Sequence, residues 1–181
     1  MRIIAGTLKG RRLQAPAGLV VRPTSDALRE TLFNILGASI AGARVLDAFA
    51  GTGALGIEAL SRGAQSVTFV ERDTRALRAL TANLRACSLM DACAIIRDDF
   101  LRAHAAGAPF DLVLLDPPYD IAPLEEVVAR GASWASAQGR IVLEHSRRRA
   151  SPEAAGTFRR SRIRTAGDSA LSFYERPAPL R

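Results

Sequence analysis

Apolar positions along the chain change period several times, and each change marks an element. Residues 2 to 14 alternate loosely around Gly6 and Gly10, which predicts a short hairpin with Arg2, Lys9, Arg11 and Arg12 exposed, closed by Ala15-Pro16-Ala17-Gly18. From Thr24 or Ser25 as N-cap, Leu28, Leu32, Ile35 and Leu36 fall at helical spacing, with Gly37 as the stop. A regular alternation comes next: strand Arg44 to Phe49, helix Ala54 to Ser61 stopped at Gly63, strand Ser66 to Glu71, helix Thr74 to Ala86 capped by Asp73, and strand Ala94 to Arg97. It continues as strand Asp111 to Leu115, helix Leu124 to Ala129 and strand Arg140 to Glu144. Strands alternating with helices at this spacing imply right-handed crossovers and an α/β domain with a mainly parallel sheet. Phe158 to Thr165 and Ser169 to Glu175, joined at Ala166-Gly167-Asp168, read instead as an antiparallel hairpin that ends the sheet. With no internal repeat or linker, one domain is expected over 1–181, an N-terminal extension (1–37) preceding a core (43–176).

Composition narrows the class. The 181 residues are 48% hydrophobic and 24% charged, far from the regime of disorder. No apolar run approaches the roughly 18 residues of a membrane span, and the first residues make too short a run for a signal peptide, so a cytoplasmic protein without membrane contact is expected. Cys87 and Cys93 lack metal-ligand spacing and are not near His104 or His145, so no metal is expected. A net charge of +7 points to an anionic partner, most plausibly a phosphate backbone. Lys9 is the only lysine, and an arginine bias by itself also arises from base composition.

Gly51-Thr52-Gly53-Ala54-Leu55-Gly56 comes after a strand, opens a helix and has Glu71 twenty residues after Gly51, as a dinucleotide fingerprint would. The acids oppose that reading. Asp47 precedes the glycines, and Glu71, Asp98, Asp99 and Asp116 end successive strands, where open α/β sheets bind ligands. A pyrophosphate would meet like charge, whereas S-adenosylmethionine has no phosphate and carries a sulfonium and an ammonium. On this reading Asp47 holds the loop or meets the amino-acid end, Gly51 and Gly53 let the backbone approach, Glu71 takes both ribose hydroxyls, and Asp98 or Asp99 accepts from the adenine amine. Phe49 and Arg72 adjoin these strand ends and are further cofactor candidates.

Leu112-Val113-Leu114-Leu115 runs into Asp116-Pro117-Pro118-Tyr119. Two prolines end the strand and stiffen the turn beyond it. An exocyclic base amine is a poor nucleophile because its lone pair is delocalised into the ring, and two acceptors aimed at it help that pair localise. The Asp116 carboxylate and the Pro117 carbonyl supply them, Pro118 fixes the geometry, and Tyr119 offers a stacking face for a splayed base.

The stretches MRIIAGTLKGRRL, RPTSDALRETLFNIL, LDAFAGTGALGIEALSRGA, VERD, LLDPPY and SALSFYE together resemble the RsmD-type methyltransferases, which methylate a guanine N2 in small-subunit 16S ribosomal RNA. The resemblance implies the Rossmann-like class I fold with a seven-stranded sheet, S-adenosyl-L-methionine as donor with S-adenosyl-L-homocysteine as product, and an rRNA substrate presented in a ribosomal particle. It also implies that Thr24 and Arg29 close over the cofactor's methionine end. Arg2, Lys9, Arg11, Arg12 and Arg22, with Arg147, Arg148 and Arg149, are candidate phosphate contacts, which predicts a steep fall of RNA affinity with salt. An adenine-N6 or DNA amino-methyltransferase, a protein-glutamine methyltransferase and a noncatalytic RNA-binding module remain alternatives. A monomer is the default expectation.

Overall fold

A computed structural model of the chain describes residues 1–15, 26–104, 106–121 and 123–178. The chain packs as two compact units that divide between Ala103 and His104. The expected closing turn after Ala15, the cap at Thr24 or Ser25, and Arg22 all lie outside the described residues.

The first unit opens with the N-terminal hairpin, reduced from the expected strands to a single antiparallel bridge between Arg2 and Arg12. The reason is where its backbone donors go. Ile4 and Ala5 donate N–H to the Glu58 carboxylate at 2.7 and 3.0 Å, Thr7 to the Ser61 carbonyl at 2.8 Å, and Leu8 to Ser61 Oγ at 2.9 Å, leaving few groups for a ladder. Gly6 makes this approach possible: a Cβ there would stand 1.8 Å from the Ser61 carbonyl oxygen. At the hairpin's far end Asn83 closes the account, accepting from Gln14 N and donating to the carbonyls of Gln14 and Thr52.

Helix α1 (Asp26–Leu36) buries Leu28, Leu32, Phe33 and Leu36 along one stripe, and Arg29 with them. The α-helix stops directly before Gly37, as expected; at φ +53° Gly37 passes the chain into a 3₁₀ turn, Gly37–Ile40, that buries Ile40. Then come β1 (Arg44–Ala48), α2 (Ala54–Ser61), β2 (Ser66–Val70), α3 (Thr74–Ala86) and β3 (Cys93–Ile96). The strands pair in parallel in the order β3-β2-β1. Four consecutive buried residues in each of β1 and β2 are what a parallel strand covered on both faces requires. Asp73 caps α3 by accepting from Arg75 N and Ala76 N at 2.8 Å.

The second unit holds β4 (Phe110–Leu115), α4 (Leu124–Trp134), β5 (Ala135–Ser146), β6 (Ala154–Ala155), β7 (Phe158–Ala166) and β8 (Ser169–Glu175). β4 and β5 are parallel, while β5–β8, β8–β7 and β7–β6 are antiparallel, so the parallel start and antiparallel end expected from the sequence are both present. Helix α4 runs past the expected Ala129 because its last turn is packed: Trp134 lies 6.4 Å from the Phe110 ring, and Gly131 sits where a Cβ would be 3.1 Å from Leu115. The two-residue β6 brings the described strands to eight, one more than expected; it is too short to leave a periodic signal.

Candidate active site

In the first unit the end of β1 turns sharply. Phe49 stands at φ +64°, a left-handed conformation that a bulky residue adopts only when its surroundings hold it there, and its ring meets Phe100 edge-on at 5.3 Å. Gly51 (φ +55°) and Gly53 (φ +83°) continue the turn. They answer to different demands. A Cβ on Gly51 would meet nothing within 4 Å, whereas one on Gly53 would strike Leu80 Cδ1 at 2.4 Å, and one on Gly56 would strike Phe69 at 2.3 Å. The last two glycines let α2 sit close on β2 and α3; Gly51, by contrast, is open on its Cβ side.

Asp47 is 1% exposed and its Oδ2 accepts from Gly56 N at 2.8 Å, so it ties β1 to the first turn of α2. Burial pushes its carboxyl up to about 8, against the lowering effect of the Gly56 hydrogen bond and with a further upward push from Glu71. Of the two roles expected for Asp47, holding the loop is the one its geometry serves. Glu71 spans the glycine turn and the next loop: Oε2 accepts from Gly51 N at 2.7 Å, and Oε1 from Arg72 N and Asp73 N, each at 2.8 Å. A carboxylate has about four lone-pair sites. Among the described residues three are filled, two on Oε1 and one on Oε2.

Asp99 is engaged on both oxygens, with Oδ2 on Arg72 Nη1 at 2.6 Å and Oδ1 accepting from Leu101 N at 2.9 Å. Asp98 is exposed and uses Oδ1 for Asp99 N. Arg72, expected at the cofactor, is thus the partner that fixes Asp99. Arg29 is fully buried, with Nη2 donating to the Arg2 carbonyl at 2.8 Å and to Asp26 Oδ1 at 2.6 Å. Its Nε and Nη1 have no partner among the described residues. Thr24 lies outside those residues.

The second unit carries the Asp-Pro-Pro-Tyr turn directly after β4. Pro117 is buried, Asp116 half-buried, and Pro118 and Tyr119 exposed. The Pro118 carbonyl accepts from Ile121 N at 3.1 Å, closing a tight turn over Tyr119 and Asp120. Tyr119 OH meets Ser169 Oγ at 3.2 Å, which pins the ring by its edge while 36% of the residue stays exposed. Arg149 Nη1 donates to the carbonyls of Tyr119 and Ile121, each at 3.2 Å. Its own carbonyl lies 2.9 Å from His145 Nδ1, which is also 2.9 Å from the Ser146 carbonyl, so Nδ1 is the protonated nitrogen. Nε2 then accepts from Ser172 Oγ at 2.9 Å, and Ser172 contacts Ser151 at 2.7 Å. Burial lowers the His145 pKa, although both carbonyls push the other way.

Comparison with known proteins places this geometry. The family model described as "Conserved hypothetical protein 95" matches residues 1–175. Ribosomal RNA small subunit methyltransferase D of Escherichia coli (strain K12) is 35% identical over 98% of this chain and 91% of its own length. The chain belongs to the RsmD family. The putative rRNA methyltransferase YlbH of Bacillus subtilis (strain 168) is 39% identical over 97% of the chain and 99% of its own length. The solved structure of the putative methyltransferase yhhF from Escherichia coli superposes with a TM-score of 0.85 at 36% identity, covering 97% of both chains.

Within this RsmD-family chain the expected phosphate contacts separate. Lys9 and Arg12 are exposed on the hairpin, and Arg147 and Arg148 come after β5, also exposed. Arg2 is exposed and lies 3.8 Å from Asp26, while Arg11 Nη1 caps the C-terminus of α3 at the Ala86 carbonyl. Arg149 differs from the others in being half-buried, with its guanidinium turned onto the Tyr119 turn. Sequence reasoning missed Glu58, Asn83 and the His145–Ser172–Ser151 chain, each a buried polar group whose partners lie far away in sequence. A lone Glu inside an apolar helix pattern, as at Glu58, was the one available signal.

Proposed function

We propose that this protein uses S-adenosyl-L-methionine to methylate the exocyclic N2 amine of a guanine in small-subunit rRNA, presented in a ribosomal particle. The observation that carries the reading is the Asp116–Tyr119 turn: an acid and a freed carbonyl at the end of a buried strand, with the tyrosine held by its edge and its main chain braced by Arg149. Family membership supplies the substrate class.

The chain's residues fit the cofactor chemically. Arg29 carries two buried donor nitrogens, Nε and Nη1, without partners among the described residues, a mismatch that an amino-acid carboxylate relieves. Glu71 keeps one open acceptor for a ribose hydroxyl, and Asp98 keeps an oxygen for an adenine amine. The donor, when bound, supplies an electrophilic methyl on a sulfonium. Asp116 and the Pro117 carbonyl accept from the amine and draw its lone pair out of the ring. Both hydrogen bonds strengthen as positive charge develops on nitrogen, so they favour the transition state over the ground state. Asp116 need not be a strong base, because the methylated amine is far more acidic than the starting one.

The test is methyl transfer from labelled S-adenosylmethionine to small ribosomal subunits from cells lacking the enzyme, beside naked rRNA, DNA and protein, with the labelled nucleoside identified. N2-methylguanosine from the particles is expected; label in adenine, DNA or protein overturns the substrate. Asp116→Ala should lower kcat by about 10² or more with cofactor affinity within twofold, and an active variant would sink the clamp mechanism.

A further inference from the structure

Helix α3 has a second face that the core does not use. Its buried stripe is Ala76, Ala79, Leu80, Asn83 and Leu84, yet Leu77 and Ala82 on the adjoining face, with Ile95 of β3, floor an open cleft of about 580 Å³. Thr81 lines it too, but its hydroxyl is turned back onto the Leu77 carbonyl at 2.8 Å. Arg78, Arg85 and Arg97 stand around this floor, all exposed, and among the described residues no acid lines the cleft. Arg97 donates to Thr74 Oγ, whereas Arg78 and Arg85 have no side-chain partner among the described residues.

We propose that this cleft is a second RNA-binding surface, taking an extended segment of the substrate rRNA with phosphates on the arginines and ribose or base faces on the apolar floor. The proposal rests on the rRNA-methyltransferase reading for its occupant. Three features select that occupant. Arg78 and Arg85 are seven residues apart, about 10.5 Å along a helix axis, so they meet separate phosphates rather than converge on one small anion. Like charges gathered around an apolar floor repel one another unless a repeated anion lies between them, and a ribose–phosphate chain is both repeated in charge and apolar between charges. Attraction to the negative end of the helix accounts for Arg85 in the last turn, but not for Arg78 in the middle of α3 or Arg97 beyond β3. Contacts of this kind position a substrate without reading its sequence.

The test pairs a charge deletion with a proximity probe. The double variant Arg78→Ser, Arg85→Ser should raise KM for small ribosomal subunits about tenfold or more, with kcat and cofactor affinity within twofold, and flatten the plot of log affinity against log salt by about 1.4. Arg85→Cys carrying a photoreactive group should crosslink to a defined rRNA segment in the particle. An unchanged KM and salt slope in a variant that still binds cofactor overturns the proposal. So does a raised KM with no rRNA crosslink, which means net charge alone, or a crosslink to ribosomal protein. If wild-type protein fails to methylate small subunits, the functional reading falls instead, and equal RNA affinity of wild type and double variant then removes the cleft as well.

Discussion

Replacing Asp47 with Asn tests the electrostatics of the cofactor loop through stability. The carboxyl is fully buried and raised to about 8, from an ordinary value of 3.8, so between those two pH values the folded chain holds a proton that the unfolded chain has lost. Stability in that window must fall as pH rises, by about 1.4 kcal/mol per pH unit, and level off above about 8 where both states are ionised. Asn keeps the shape and the acceptor for Gly56 N but does not titrate. Near pH 4 the two proteins should therefore differ by roughly 1 kcal/mol or less, the usual scale for a near-isosteric exchange of one hydrogen-bonding group. From pH 5 to pH 7 the variant should gain about 3 kcal/mol over wild type. Urea unfolding at half-unit pH steps, with the m-values checked for equality, reads this difference directly. A gap constant to within about 0.5 kcal/mol across that range would refute the reasoning, because an exposed-like carboxylate deviates by no more than that. It would mean that Gly56 N and the start of α2 hold Asp47 ionised despite its burial.

Three further outcomes rest on named contacts. Arg149→Ala removes the donor shared by the Tyr119 and Ile121 carbonyls and should lower kcat/KM for the particle by about tenfold while leaving cofactor affinity unchanged; loss of cofactor binding would point to a general fold defect instead. Glu71→Gln puts an amide N–H against backbone donors and should weaken cofactor binding by roughly 10- to 100-fold by calorimetry, with unchanged affinity removing the ribose assignment. Glu58→Gln leaves Ile4 N, Ala5 N and Arg62 competing for one carbonyl oxygen, and should cost about 2–4 kcal/mol in urea unfolding.

How much of the fold and the site was legible in the sequence depends on how far each signal reaches along the chain. Helices α2 and α3 start and end where their periodicity and the Asp73 cap place them, because those signals are local. Helix α4 runs beyond its expected end because Trp134 and Gly131 are fixed by Phe110 and Leu115, partners that no window around residue 130 contains. Similarly, the candidate acids were visible from their places at strand ends, but their duties were not. Which backbone and side-chain groups a strand-end acid meets turns on a few ångströms: Asp99 has both oxygens engaged, by Arg72 and Leu101, and Asp98 beside it has one engaged, by Asp99 N. Glu58 was hidden for the opposite reason. Its partners are main-chain N–H groups, which nearly every residue has, so no side-chain pattern announces them.

The net charge of +7 invites the inference that the arginines as a class face RNA, and the structure shows why that inference has to be made residue by residue. Arg29, Arg62, Arg72, Arg149 and Arg160 all give their guanidinium groups to carbonyls, carboxylates or hydroxyls of this same chain. Where such a guanidinium is buried, as at Arg29, it has exchanged its hydration for fixed partners, and turning it to a phosphate would leave those partners unsatisfied. Lys9, Arg12, Arg78, Arg85, Arg147 and Arg148 carry no such commitment among the described residues, so binding a phosphate costs them little beyond ordering a side chain. Formal charge therefore sets the class of partner, while the internal hydrogen bonds decide which arginines remain to meet it. By that second criterion Arg78 and Arg85 are available for the contact proposed above, whereas Arg149, on the Tyr119 turn, and Arg11, on the Ala86 carbonyl, are already engaged within the chain.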